Sequence, residues 1–176
     1  MKRTDLSRRS FLRGKSPKIA SNAIRPPWTI EASQFVENCE RCDKCIEVCP
    51  EKILFRGEGG YPEVDFKRGE CTFCAECVDV CEANAFHYFK SNKPHEICAT
   101  PNKAWNLKVS IKPNCLSLNA IVCRTCGDNC DEQAIRFRLQ VGGVSIPEID
   151  QDECTGCGAC LSVCPEHAVS LQNKIE

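Results

Sequence analysis

Two short stretches of the chain carry a clear pattern of apolar and polar positions. Leu107, Val109 and Ile111 alternate with polar residues, and this period of two predicts a half-buried strand. Residues 31–38 have the pattern of a short amphipathic helix that ends just before a cysteine. Both elements are brief, so the architecture has to be predicted from the way such elements repeat.

The chain repeats one unit, and this repeat predicts the architecture. Residues 49–65 and 130–150 each read as a helical turn and a strand, followed by a Gly-Gly turn and a second strand. Self-similarity of this kind indicates a duplicated unit. The predicted class is α+β, with one half over residues 29–92 and the other over residues 106–176. Pro, Asn and Lys in residues 93–105 predict a linker between the halves.

Cysteine limits the choice of fold more than any other residue. The chain has 176 residues and 17 cysteines, but only eight Phe, two Tyr, two Trp and one Met for a core. Small domains of this kind usually need disulfides or metals to be stable. The odd number of cysteines argues against a framework built of disulfides alone.

Charge is divided unevenly along the chain. Residues 1–28 hold eight basic residues and one acidic residue, whereas the remaining 148 hold fifteen basic and 23 acidic residues. This acidic body excludes a basic nucleic-acid binder as the class of the whole protein. Residues 1–28 are predicted to form a flexible basic tail.

The tail contains Arg8 and Arg9 in a sequence that resembles a twin-arginine export signal. Such a signal also needs an apolar stretch of about 7–15 residues, and Lys15, Lys18 and Arg25 interrupt the segment that would supply it. No stretch of the sequence reaches the roughly 18 residues of a membrane helix. We therefore expect a cytoplasmic protein without stable membrane insertion. The arginine pair is either a solvated tail or an element that a partner recognises.

Three regular cysteine runs indicate the chemistry of the protein. Each has the spacing C-x2-C-x2-C-x3-C, which is the bacterial run that ligates [4Fe–4S] clusters. Three thiolates at this spacing let one tight loop bind three corners of a cubane. Structural zinc is the main alternative, but it typically takes two cysteine pairs separated by a longer spacer. The regular runs are Cys39, Cys42, Cys45 and Cys49, then Cys71, Cys74, Cys77 and Cys81, and finally Cys154, Cys157, Cys160 and Cys164.

A fourth run, Cys115, Cys123, Cys126 and Cys130, has the irregular spacing C-x7-C-x2-C-x3-C. Some ferredoxins carry an expanded loop of this kind around the first ligand, so we expect a fourth [4Fe–4S] cluster beside the other three. The alternatives are a decayed site and a three-iron cluster. Cys98 belongs to no run and is expected to be a free thiol.

Each half resembles a two-cluster bacterial ferredoxin domain, in which the fourth cysteine of a run ligates the cluster of the other run. The alternative is that each run closes on its own cluster. Bound clusters would contribute much of the folding free energy that a hydrophobic core normally contributes. The metal-free chain is therefore expected to be largely disordered. The resemblance implies quartet A of Cys39, Cys42, Cys45 and Cys81, quartet B of Cys71, Cys74, Cys77 and Cys49, quartet C of Cys115, Cys123, Cys126 and Cys164, and quartet D of Cys154, Cys157, Cys160 and Cys130.

Nothing else in the sequence indicates a catalytic site. His87, His95 and His167 are not spaced against a cysteine or carboxylate in a catalytic arrangement. The sequence also lacks the phosphate-binding and dinucleotide-binding motifs and the nucleophile elbow of hydrolases. Clusters without a substrate pocket predict one-electron transfer, or iron–sulfur sites that serve a partner. We therefore expect no enzymatic activity.

The full length of the chain resembles the NapF family of ferredoxin-type proteins of bacterial periplasmic nitrate reductase systems. This resemblance implies a cytoplasmic role in maturing NapA, the molybdenum and iron–sulfur catalytic subunit, before its export. The implied partner is the NapA precursor. A ferredoxin-like electron-transfer subunit is the alternative, and a colourless zinc or disulfide module is a third. The motifs that carry the resemblance lie at residues 7–9, 24–28, 39–42, 59–62, 123–126 and 154–165.

Overall fold

The structure is a computed structural model that describes residues 23–87 and 104–173. Arg8, Arg9 and Cys98 lie outside the described residues. Within them, no helix is both long and apolar enough to cross a membrane. The helices of these residues are α1 (Ala32–Asn38), α2 (Lys44–Val48), α3 (Glu76–Asp79), α4 (Thr125–Asp128) and α5 (Ala159–Ser162). The strands are β1 (Leu54–Arg56), β2 (Pro62–Val64), β3 (Leu107–Ile111), β4 (Ile135–Arg138), β5 (Ile146–Ile149) and β6 (Val169–Asn173).

The strands form three antiparallel pairs, β1 with β2, β4 with β5, and β3 with β6. The first two pairs are the hairpins of the repeated unit, and Leu54 and Ile135 occupy matching places in them, opposite Val64 and Ile149. The pair β3–β6 joins the start and the end of the second half. A single bridge between Thr29 and Phe86 does the same in the first half. Short helices between two-stranded sheets confirm the predicted α+β class.

A residue in the left-handed conformation precedes the helix of each regular cysteine run. Asp43, Ala75 and Gly158 have φ of 65°, 62° and 90° and stand directly before α2, α3 and α5. Each lies between the second and the third cysteine of its run. A left-handed residue turns the chain sharply, and this turn directs the helix away from the loop. Arg124, at the same place in the irregular run, has φ of −134°.

All four runs end in the same backbone turn, including the irregular one. The third residue after the last cysteine is left-handed in every run, with φ of 54° at Lys52, 52° at Asn84, 51° at Gln133 and 48° at His167. The following residue is then completely buried. These buried residues are Ile53, Ala85, Ala134 and Ala168, each with at most 2% of its surface exposed. The turn therefore sends the chain from each cysteine run directly into the core.

Residues 24–30 and an aromatic cluster hold the segment directly before the second half against the first half. The Trp28 amide donates to the Ala104 carbonyl, and the Trp105 indole Nε1 donates to the Arg25 carbonyl, both at 2.8 Å. The Trp105 ring meets Phe66 and Phe73 edge-on, with centroids 5.6 and 5.9 Å apart. Ala104 and Trp105, at the end of the segment predicted as a linker, are thus fixed against the first half.

Candidate metal centres

Sixteen cysteines of the described residues surround four cavities. All sixteen carry free thiols. The cavities beside quartets A, B and C are nearly equal, with about 370, 360 and 360 Å³ of space free of protein atoms, part of which is open to solvent. The corresponding space beside quartet D is larger, about 920 Å³, because it continues along the boundary between the halves. Each cavity is lined by all four cysteines of one quartet.

The quartet at every cavity consists of three cysteines from one run and one from the other run of the same half, and Cys71 of the first half additionally lines the cavity beside quartet D. The loop and the start of the helix place the first three around one cavity. The last cysteine of the run, after the helix, lies against the neighbouring cavity. Cys81, for example, lines the cavity of Cys39, Cys42 and Cys45. The structure therefore brings together the four crossed sets that the ferredoxin resemblance implies.

The irregular run reaches its cavity through a loop that is held by its own hydrogen bonds. Residues 117–119 form a short 3₁₀ turn, and the buried Ser117 hydroxyl donates to the Ser145 carbonyl. The Asn119 side-chain amide donates to the carbonyls of Pro113 and Cys115, at 2.7 and 2.8 Å. These bonds hold Cys115 beside Cys123, Cys126 and Cys164. Sequence reasoning did not single out Ser117 or Asn119, although Ser and Asn are typical residues of such turns.

Burial opposes ionisation of the thiols. It raises the pKa of Cys45, Cys71 and Cys160 to about 12 and that of Cys126 to about 11. In Cys45 and Cys126 the charges of the other three cysteines of the quartet add to the effect of burial. In the folded cavity without a metal, these groups are therefore neutral thiols. A metal that binds them has to displace their protons.

Backbone amides donate hydrogen bonds to several of the sulfurs. The Phe73 amide donates to Cys71 Sγ at 3.4 Å, and the Ala168 amide donates to Cys164 Sγ at 3.3 Å. The Arg41 amide acts on Cys39 in the same way and lowers the pKa that burial raises. Hydrogen bonds to thiolate sulfur also tune the reduction potential of a bound cluster. The loops thus supply hydrogen-bond donors to the sulfurs as well as the cysteine ligands.

The donor set fits an iron–sulfur cubane. A [4Fe–4S] cluster takes four cysteine thiolates, and each cavity offers four. A single ion such as zinc instead draws its four ligands onto one point, with sulfur about 2.3 Å from the metal. In residues 23–87 and 104–173, no three His, Cys, Asp or Glu side chains have that single-ion arrangement.

Three of the short motifs that carry the family resemblance meet beside quartet A. The Tyr61 ring lies between two guanidinium groups, 5.5 Å from Arg25 and 5.3 Å from Arg41. Arg41 also donates to the Gly59 carbonyl at 3.4 Å, and Arg25 pairs with Glu63 at 3.4 Å. Residues 24–28, 39–42 and 59–62, which are far apart in sequence, therefore form one structural unit.

Comparison with known proteins agrees with the cysteine geometry. A family model described as a 4Fe-4S dicluster domain matches residues 38–85 and again residues 121–168. The matched residues hold fifteen of the sixteen cysteines of the four runs, and Cys115 lies six positions before the second match. Two dicluster domains imply four [4Fe–4S] clusters. The fourth cluster, expected from the irregular run, is thereby supported together with the other three.

Relatives extend this likeness over the full chain. "Ferredoxin-type protein NapF" of Escherichia coli strain K12 is 41% identical over 168 residues, which cover 96% of this chain and 95% of that protein. "Ferredoxin-type protein NapF" of Haemophilus influenzae is 44% identical over 178 residues, with the same coverage. "Ferredoxin-type protein NapG" of E. coli K12 is 26% identical and covers 87% of this chain. The chain therefore belongs to the NapF family of ferredoxin-type iron–sulfur proteins.

Proposed function

We propose that quartets A to D each ligate one [4Fe–4S] cluster, with residues 29–92 and 106–176 forming one two-cluster unit each. The observation that carries this proposal is that each of the four cavities is lined by one complete quartet. A bound [4Fe–4S] cluster supplies one-electron redox chemistry. The protein's own part is to hold the thiolates, to exclude water by burial and to direct amides at sulfur.

Iron analysis of cysteine variants tests the ligand assignment, and quartet C is the most informative place. Anaerobically purified wild-type chain is expected to hold about sixteen irons and sixteen sulfides. Cys115→Ala is expected to lower both to about twelve, because quartet C loses a ligand. Cys98→Ala is the matched control, since Cys98 lies in no run, and should stay at about sixteen. Equal iron in both variants would contradict the role of Cys115.

We propose that the protein acts in the cytoplasm on the catalytic subunit of periplasmic nitrate reductase, NapA, before that subunit is exported. Membership of the NapF family supports this role, and so does the redox chemistry of its clusters. The protein would serve as a maturation accessory with no substrate of its own. Its acidic body suits docking onto a basic surface of a partner protein.

Co-purification tests the proposed partner. A tagged chain isolated from cells with twin-arginine export blocked is expected to carry the NapA precursor. A tagged two-cluster ferredoxin from the same cells serves as the control and should not. Absence of the precursor, with about sixteen irons still bound to the tagged chain, would overturn the partner but not the ligand assignment. Normal reductase maturation with reduced electron flux in a deletion strain would favour an electron-transfer subunit instead.

A further inference from the structure

The two halves touch through the cysteine loops of quartets B and D. The amide of Cys71, in quartet B, donates to the carbonyl of Cys157, in quartet D, at 2.8 Å. Cys71 also lines the large cavity beside quartet D, together with the adjacent Glu70, Thr72 and Phe73. One residue therefore forms part of the wall of both sites.

Within each half, the two quartets are also neighbours. Helices α2 and α3, which carry Cys45 and Cys77, pack together. Helices α4 and α5, which carry Cys126 and Cys160, pack in the same way. Quartet A thus adjoins B, and quartet D adjoins C.

An aromatic cluster fixes the junction between B and D. Phe66 and Phe73 of the first half contact Trp105, the residue directly before the second half, and Phe66 is only 4% exposed. The Phe66 ring fills the space beside Gly158, which lies in the loop of quartet D. Close packing of buried rings excludes water and leaves little freedom for the halves to separate. The two inner centres are therefore held at a constant separation.

We infer that the four centres form a single electron path in the order A, B, D, C, which crosses from one half to the other. The inference rests on the cluster ligation proposed above. One electron enters at an outer quartet from a reduced one-electron donor and leaves at the opposite outer quartet to a one-electron acceptor. No bond is made or broken, and the donor loses the electron that the acceptor gains. The alternative arrangement is two separate pairs, A with B and C with D, between which no electron passes.

Electron paramagnetic resonance of variants that lack one outer cluster distinguishes the two arrangements. Cys42→Ala empties quartet A and leaves B, D and C. In the single path, every reduced cluster still has a paramagnetic neighbour, so the uncoupled signal is expected to be close to zero. In separate pairs, cluster B is alone and about one third of the spins are uncoupled. Cys123→Ala, at the other end, makes the same test independently, with cluster D as the reporter.

A third variant provides the reference signal. Cys74→Ala empties quartet B and isolates cluster A in either arrangement, so about one third of its spins should be uncoupled. All three substitutions remove the second cysteine of a run and should leave about twelve irons per chain. An uncoupled third in Cys42→Ala or Cys123→Ala, at about twelve irons, would overturn the single path. Unchanged iron near sixteen in the three variants would instead overturn the ligand assignment.

Discussion

Removal of iron by a strong chelator is expected to unfold most of the chain. The cooperative thermal transition should disappear, and the protein should elute at a larger apparent size. The physical reason is that the four cavities lie where a domain of this size would normally place large apolar side chains. Three of the residues that enter the core from the cysteine runs are alanines, Ala85, Ala134 and Ala168. In structural metal sites, the binding free energy of the metal is largely the folding free energy.

Circular dichroism and size-exclusion chromatography before and after anaerobic chelation measure this effect. Reconstitution with iron and sulfide should restore both signals, which separates unfolding from irreversible damage. Chelation should also be faster at about pH 6 than at about pH 8, because protons compete with iron for thiols whose pKa lies above neutrality. Burial raises the pKa of Cys45 and Cys126 further, to about 12 and about 11, so the direction is the same in the folded cavity. An iron-free chain that keeps a sharp transition would contradict the prediction.

The cysteine spacing indicated which side chains lie together more clearly than hydrophobic periodicity indicated the fold. Three thiols within seven residues can only reach a common point through a tight loop, so spacing alone indicates the loop and its metal. The helix before Cys39 and the strand at Leu107–Ile111 were also predicted, because each has a local pattern. Most other elements are three to five residues long, which is too short for a period to be recognised.

Contacts between the halves could not be predicted, because nothing local encodes them. Phe66 and Trp105 are single aromatic residues in stretches without a pattern, and their contact joins residues 39 positions apart. The left-handed turn after each cysteine run could not be predicted from the sequence either. No one side-chain type marks the position, which is Lys52, Asn84, Gln133 or His167, and the feature common to all four is the left-handed backbone conformation. His167 thus has a role in a turn, whereas the sequence alone indicated only that it was not catalytic.

Replacement of Gly158 by alanine is expected to damage the second half far more than the same replacement at Gly142. Both glycines have positive φ, 90° and 71°, so both variants carry the strain of a left-handed alanine, about 1–2 kcal/mol. The difference lies in the surroundings. A Cβ on Gly158 would lie 2.6 Å from Cγ and 2.7 Å from Cε1 of the Phe66 ring, whereas a Cβ on Gly142 meets nothing within 4 Å.

Phe66 is buried and packed against Trp105, so it has no space into which to move, and overpacking adds about 1–3 kcal/mol. Gly158 also lies between two cysteines of quartet D, so the same displacement should loosen that quartet. We expect Gly158→Ala to melt at a lower temperature than Gly142→Ala and to lose about four of about sixteen irons. Thermal melting and iron analysis of the two variants, purified in parallel, measure the difference. Equal melting temperatures and equal iron would mean that the Phe66 ring is free to move, and the junction between the halves would then not be rigid.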